Sequence, residues 1–187
     1  NIDRILSRIF QDVKDAVLNS DVSFIVVGTP SSKEGHLNLS YIYNVAQQIG
    51  HALKDKTKVI GDLSLVNGDC KLRHIIAIRS TVLPGTNEKV GEMIAEASGL
   101  VRGKDFTVVS NPEFLREGTS VEDYFNPPLT LVGTDMPEAE AVFCEIYKGI
   151  DAEFIATDIR VAEMMKYVNN TYPALQIVFG NAVANIR

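Results

Sequence analysis

The stretch DVSFIVVGTP, residues 21–30, is a short apolar run that ends at Gly28 and Pro30. An apolar run bounded by such turn residues is typical of a buried strand. Similar runs are RHIIAIRSTV (73–82), KDFTVVSNPEF (104–114), LTLVGT (129–134) and AEFIATD (152–158). Segments with helical spacing of apolar residues lie between them, namely LSYIYNVAQQIGHALKDK (39–56), NEKVGEMIAEASG (87–99) and PEAEAVFCEIYKGI (137–150).

This alternation predicts an α/β fold, with a parallel sheet covered by helices on both faces. The strands favour it because they are almost continuously apolar, as strands buried on both faces are. The chain from about residue 158 onward is predicted to be helical almost throughout. We therefore divide it into a sheet domain, residues 1–157, and the start of a helical domain, residues 158–187.

The composition excludes several classes of protein. With 187 residues, 45% of them hydrophobic, the chain can bury a sizeable core, so disorder is not expected. A net charge of −6 without a basic run argues against nucleic-acid and anionic membrane surfaces. Cys70 and Cys144 lack the spacing of a disulfide framework or a metal site. Because no membrane-spanning stretch or signal peptide is evident, we expect a soluble cytoplasmic protein.

Three polar segments follow the predicted strands, namely GTP (28–30), STVLPGT (80–86) and SNPEFLREGT (110–119). In open parallel sheets, ligands bind beyond the carboxyl ends of the strands. Glu113 and Glu117 are four residues apart in the third segment, so one helical turn would place them on the same side. We therefore predict that both glutamates line a cleft.

The final helix carries a second polar group within RVAEMMKYVNNTYPALQIVFGN (160–181). Glu163, Lys166, Asn170, Ile177 and Asn181 lie close to one stripe of this helix. A lysine and an asparagine are costly to bury on an apolar helix unless they are paired or used. The stripe alone leaves two interpretations open, a functional pair or a snorkelling lysine beside a structural amide, and favours the second.

A dinucleotide-binding half should begin with a strand, a G-x-G-x-x-G turn and a helix. No such turn occurs in the 187 residues. The chain is therefore expected to be an internal or truncated piece of a longer design.

Four motifs in order resemble those of the nucleotide-sugar 6-dehydrogenases, a family that includes the UDP-glucose and GDP-mannose enzymes. They are DVSFIVVGTPS (21–31), RSTVLPGT (79–86), SNPEFLREGT with DYFNPPLTLVGT (110–134), and VAEMMKYVNNTYPALQIVFGN (161–181). The pattern is nearest to that of GDP-mannose 6-dehydrogenase. The resemblance runs from about residue 14 to the end, except for an insertion at residues 62–72.

The resemblance implies a Rossmann-like NAD-binding domain, incomplete here, followed by the long central helix. Such enzymes use two NAD to oxidise the sugar C6 alcohol to a carboxylate, through an aldehyde and a cysteine-linked thioester. The resemblance also implies a homodimer formed through residues 159–187. It does not decide between GDP-mannose and UDP-glucose as substrate. The alternative is a truncated module that binds a nucleotide sugar, or only itself, without catalysis.

The resemblance also assigns roles to individual residues. Thr29 and Thr81 would contact NAD, and Thr81 could help to position water. Glu113 would be the general base for thioester hydrolysis, while Glu117 would bind substrate near the nicotinamide. The remaining assignments are backbone contacts to the sugar nucleotide from Phe114, Leu115 and Arg116, stabilisation of negative charge on the C6 oxygen by Lys166 and Asn170, and a substrate contact by Asn181.

The chain departs from the family pattern in three ways. The glycine-rich phosphate turn is absent, and the family's nucleophilic cysteine belongs to a later segment. Pro173 stands where the GDP-mannose enzymes have a substrate-contacting histidine, and it is expected to kink the helix. We therefore expect the chain to be inactive alone.

Overall fold

The structure is a computed structural model that describes residues 12–31, 33, 35–56, 74–116 and 118–186. Glu117, Cys70 and the insertion at 62–72 lie outside the described residues. The strands are β1 (Val22–Ile25), β2 (His74–Ile78), β3 (Phe106–Ser110), β4 (Thr130–Gly133) and β5 (Phe154–Thr157). The helices are α1 (Val13–Leu18), α2 (Ser40–Lys54), α3 (Thr86–Ser98), α4 (Ser120–Phe125), α5 (Pro137–Ile146) and α6 (Ile159–Ala184).

The strands form one sheet in the order β1-β2-β3-β4-β5. The pairs β1–β2, β2–β3 and β4–β5 are parallel, which confirms the predicted mostly parallel α/β fold. The prediction that all strands are parallel is wrong at one junction, because β4 pairs antiparallel with β3 through Ser110 and Gly133. In the connection between these strands, residues 111–129, the described residues form the short helix α4 and not a full crossover helix.

The core lies on both faces of the sheet, as β2 illustrates. Ile76 and Ile78 pack on the side of α2 and α3, whereas Ile75 and Ala77 pack on the side of α5. All five residues of β2 are buried. Burial on both faces explains why the strands are continuously apolar. Among the described residues, no helix combines the length and the apolar character that a membrane span requires.

A buried polar cluster lies where β1 and β2 begin. Lys56, only 1% exposed, donates to the carbonyl oxygens of Val17 and Ser20, the first at 3.0 Å. It also contacts Nδ1 of His74 at 3.0 Å, and Nε2 of His74 lies 2.7 Å from the Ser23 hydroxyl. Because an ammonium only donates, Nδ1 is the acceptor and Nε2 carries the proton. Burial and the neighbouring Lys56 lower the pKa of His74 to about 3.

We expect His74 to make the fold sensitive to acid. The unfolded imidazole takes up a proton below about pH 6.5, while the folded one stays neutral to about pH 3, so stability falls as the pH drops between these values. At about 1.4 kcal/mol per pH unit, the free energy of unfolding should drop by about 2 kcal/mol between pH 6.5 and pH 5. Urea titrations at several pH values measure this loss.

The controls are two histidine substitutions. His74→Gln keeps an acceptor for Lys56 and a donor for Ser23, and it should flatten the pH dependence. His51→Gln, at an exposed position of α2, should leave it unchanged. Equal pH dependence in both variants would rule out His74 as the source of the acid sensitivity.

Candidate active site at the strand ends

The loops that follow β1 and β2 are joined through one serine. The Ser80 hydroxyl accepts from the Val27 amide at 2.9 Å and lies 2.7 Å from the Val27 carbonyl oxygen, to which it can donate. Thr29 and Thr81 are half-buried in these loops, and within the described residues neither hydroxyl has a hydrogen-bond partner. Two adjacent strand ends therefore each present a threonine hydroxyl that is available to a ligand, in loops that Ser80 joins.

Lys166 meets Glu113 where the third strand ends. Its ammonium lies 2.9 Å from Glu113 Oε1 and donates to the Glu113 carbonyl oxygen at 2.5 Å. The Lys166 side chain is 6% exposed and that of Glu113 27%, so water screens this pair only partly. The ammonium also lies 5.7 Å from the centre of the Phe114 ring. The two motifs therefore meet in the structure, while the chemical roles of Glu113 and Lys166 stay predictions.

The turn that carries Glu113 is fixed by Asn111, which is only 1% exposed. Its amide donates to the Leu131 carbonyl at 3.0 Å, and its Oδ1 accepts from Arg79 at 3.0 Å and Tyr147 at 2.6 Å. Burial raises the pKa of Tyr147, so this phenol remains a donor at neutral pH. Asn111 therefore connects β2, β4 and α5 directly behind Glu113.

Arg116 is held by a carboxylate that sequence reasoning missed. Its guanidinium contacts both oxygens of Asp123, at 2.7 and 3.2 Å, and its backbone amide donates to the same group at 2.8 Å. These hydrogen bonds keep the pKa of Asp123 far below its usual range. The Leu115 amide is also occupied, by Glu113 Oε2 at 2.7 Å. Backbone contacts from Leu115 and Arg116 to a ligand would therefore come from their carbonyl oxygens.

An open groove of about 650 Å³ lies between this turn and α6. It contains five of the predicted site residues: Phe114, Leu115, Arg116, Lys166 and Asn170. The other lining residues are Asp123, Asn126, Pro128, Asn169 and Pro173. A smaller cavity of about 30 Å³ adjoins it behind Glu113. The groove is large enough for a small polar ligand, with an ammonium and two amides along one wall.

The structure does not bring Asn181 into this groove. Asn181 is exposed on α6, about 22 Å from Lys166 at 1.5 Å per residue. Pro173 does line the groove, and α6 is helical on both sides of it without interruption. The predicted roles of Asn181 and Glu117 thus remain untested by the geometry.

Glu163 is the main site-organising residue that sequence reasoning did not single out. It is 1% exposed, and its carboxylate accepts from the backbone amides of Gly85 and Asn87 at 2.6 and 2.8 Å. It also accepts from the Asn87 side chain at 2.7 Å. The N-terminus of α3 has no side-chain cap from its own sequence, so Glu163 supplies one from α6.

The family of the chain follows from its sequence matches. Residues 6–151 match the sequence model of the UDP-glucose/GDP-mannose dehydrogenase family, NAD binding domain. This chain belongs to that family. It is 44% identical to the GDP-mannose 6-dehydrogenase of Pseudomonas aeruginosa over 94% of its own length. It is 36% identical to the UDP-glucose 6-dehydrogenase of Rhizobium meliloti over the same share.

Solved structures support the same assignment. The chain is similar to the GDP-mannose dehydrogenase of Pseudomonas aeruginosa, crystallised as a ternary complex, with a TM-score of 0.80 and 43% identity. That match covers 90% of this chain and 36% of the other. The UDP-glucose dehydrogenase of Pyrobaculum islandicum also gives 0.80, at 35% identity, with 93% and 37% covered. The chain spans 37% of the length of both curated enzymes above.

The cofactor of this family's domain is NAD, which confirms that prediction at the level of the family. Two residues at the strand ends would suit bound NAD. The hydroxyls of Thr29 and Thr81 stand at adjacent parallel strands with no protein partner among the described residues. Hydroxyls in this position can bind the polar groups of a nucleotide. The glycine-rich phosphate turn of such sites does not occur in the sequence.

Proposed function

We propose that this chain supplies the NAD and nucleotide-sugar contacts of an enzyme that oxidises the sugar C6 alcohol to the uronic acid. The observation that carries the proposal is the Glu113–Lys166 pair, 2.9 Å apart at the edge of the groove. A base and a cation this close can act on one carbon and its oxygen. Neither group is an ordinary surface charge, since the side chain of Lys166 is only 6% exposed and that of Glu113 27%.

Five residues of the candidate site have defined tasks in this proposal. The Lys166 ammonium donates to the C6 oxygen and stabilises its negative charge, and the Asn170 amide adds a second donor. Glu113 takes a proton from the water that hydrolyses the thioester, which the substrate carbon would form with the nucleophilic cysteine that the family has in a later segment. Thr29 and Thr81 hold NAD at the strand ends. When bound, NAD accepts the hydride that leaves C6.

The substrate is a nucleotide sugar, with GDP-mannose preferred to UDP-glucose. The preference rests on the higher identity to the GDP-mannose enzyme, 44% against 36%. The open groove of about 650 Å³ has a mixed lining, in which the polar side chains are suited to sugar hydroxyls. The proposal also includes a substrate contact by Asn181, which is exposed on α6 beyond this groove, and the role assigned to Glu117, which lies outside the described residues.

Calorimetric titration of the chain with GDP-mannose tests the proposal. We expect binding, and Asn170→Ala should weaken it about tenfold because one hydrogen bond to the ligand is lost. The matched control is Asn185→Ala, an exposed asparagine at the end of α6 and away from the groove. Absence of binding, or equal weakening by both variants, would contradict the proposed site.

The second candidate is a nucleotide-sugar-binding module without catalysis. It is favoured by the position of Cys144, which is exposed on α5 and does not line the groove. Partial burial raises the pKa of its thiol, and the negative charge of Glu140 raises it further. Cys144 is therefore a poor nucleophile. We therefore expect the purified chain to form no NADH from NAD and GDP-mannose. Steady formation of NADH would favour the enzyme over the module.

We also propose that the chain forms a homodimer through residues 159–187. Several large apolar side chains of α6 are exposed, among them Leu175 (64%), Ile177 (65%) and Phe179 (68%). An apolar surface of this extent marks an interaction site. Light scattering at micromolar concentration should give the mass of a dimer. Phe179→Asp should shift it toward the monomer, while Val121→Asp, exposed on α4, should not.

A further inference from the structure

The first turns of α6 are attached to the sheet domain by few contacts. Only four of its 26 residues are buried, namely Ile159, Ala162, Glu163 and Lys166. Two of these four are charged, and they lie three residues apart on one face. The two charged side chains therefore add polar contacts to the close packing of Ala162 and Ile159 against Gly133, which brings α6 onto the sheet.

Their contacts reach two different loops. Glu163 accepts three hydrogen bonds, at 2.6, 2.8 and 2.7 Å, from the Gly85 amide and the two Asn87 donors. Lys166 pairs with Glu113, on the loop that follows β3. The Gly85 turn closes the loop that begins at Ser80 and carries Thr81. One helical turn of α6 thus joins the predicted NAD loop to the predicted substrate loop.

Glu163 binds the start of α3 through charge-assisted hydrogen bonds. Its carboxylate accepts only from neutral N–H groups that converge at the positive end of α3, and such charge-assisted bonds are about twice as strong as neutral ones. Gly85 has a φ of 93°, a left-handed conformation that glycine adopts readily, and this residue is the N-cap of α3. The turn thus presents its amide to a carboxylate from elsewhere in the chain.

We propose that Glu163 is a positioning residue that holds the Lys166 ammonium at Glu113. Without its carboxylate, α6 loses its hydrogen bonds to the start of α3, and Lys166 is no longer held in the position from which it reaches Glu113. Displacements of about 1 Å at such a site cost on the order of a hundredfold in rate. The inference rests on the proposed function only in taking Lys166 as the group that must be held.

The test measures the reactivity of Lys166 toward an amine-acylating reagent, with peptide mass spectrometry as the readout. In Glu163→Gln the side-chain amide must face at least one of the donors, so the three hydrogen bonds cannot all form. We expect Lys166 to be acylated at least tenfold faster than in the unmodified chain. Hydrogen exchange at the Gly85 and Asn87 amides should rise as well.

Two controls separate positioning from general destabilisation. Glu88→Gln removes the exposed ion pair of Glu88 with Arg160, at 2.6 Å, which links the same two helices, and Lys166 should stay protected. Lys56 reports on global opening, since it is 1% exposed and distant in sequence from Glu163 and Lys166. Its acylation rate should not change.

These measurements test the positioning role of Glu163 in the absence of NAD and of any sugar. Faster amide exchange with Lys166 still protected would reduce Glu163 to a cap of α3 and overturn the proposal. Parallel acylation of Lys56 and Lys166 would also overturn it, because the whole fold would then be opening. If Glu163→Gln does not fold, Glu163→Asp keeps the charge at shorter reach and should give an intermediate Lys166 rate; an unchanged rate would count against positioning. Failure of GDP-mannose to bind the unmodified chain would instead affect only the proposed function.

Discussion

Gly133→Ala is expected to lower the free energy of unfolding by about 3 kcal/mol, the upper end of the usual cost of overpacking. A Cβ at this position would lie 2.6 Å from the Ala162 Cβ, 2.9 Å from the Ile159 Cα and 3.1 Å from the Asp158 carbonyl oxygen. Two of these atoms belong to the backbone of the α6 entry, which cannot rotate away. The helix itself would have to move.

The loss follows from how α6 approaches the sheet. Gly133 ends β4 and pairs with Thr157 of β5, directly before the helix begins. Absence of a side chain there lets the first turn of α6 lie against the strand, with Ala162 fully buried. Displacing this turn also strains the Glu163 and Lys166 contacts, which depend on the same approach. Stability and site geometry should therefore change together.

Urea unfolding of Gly133→Ala measures the effect, with Gly149→Ala as the matched control. A Cβ at Gly149 meets no atom within 4 Å, so that variant should stay within about 0.5 kcal/mol of the unmodified chain. Equal midpoints for the two variants would show that the contact with α6 is not as tight as the structure has it.

The strands were predictable because each is a short apolar run followed by turn residues. The helix α4 was not, since its six residues are too few to show a period and Val121 and Phe125 are both exposed. Nor could the direction of β4 be predicted. An apolar run such as LTLVG has the same pattern whichever way it pairs, and the antiparallel contact arises from the path of residues 111–129.

In the candidate site, too, some residues could be predicted from the sequence and others could not. The resemblance assigned Glu113 and Lys166 to one reaction, whereas the residues of α6 alone favoured a snorkelling lysine. Glu163 was visible only as a member of the stripe, because its partners are mainly backbone amides, which leave no signature in a sequence. Asp123 was missed because it lies on the helix that was itself missed. Long-range polar contacts of this kind depend on the tertiary arrangement.

Lys166→Met is expected to have the largest effect, a loss of about 4 kcal/mol in the free energy of unfolding. Methionine fills much of the lysine volume but supplies no partner for Glu113. That carboxylate is only 27% exposed, and it would keep a single amide hydrogen bond, from Leu115 at 2.7 Å. Removing one member of a largely buried ion pair is costly because the remaining charge is left without compensation.

A double-mutant cycle separates this loss from simple repacking. Glu113→Gln removes the charge that Lys166→Met leaves behind, so the double variant should be more stable than Lys166→Met alone by about 2 kcal/mol. The matched control is Lys148→Met, an exposed lysine paired with Glu145 at 3.2 Å, which should cost no more than about 0.5 kcal/mol. If the double variant were no more stable than Lys166→Met, the two groups would not be coupled. The base and the cation of the proposed reaction would then act at separate places.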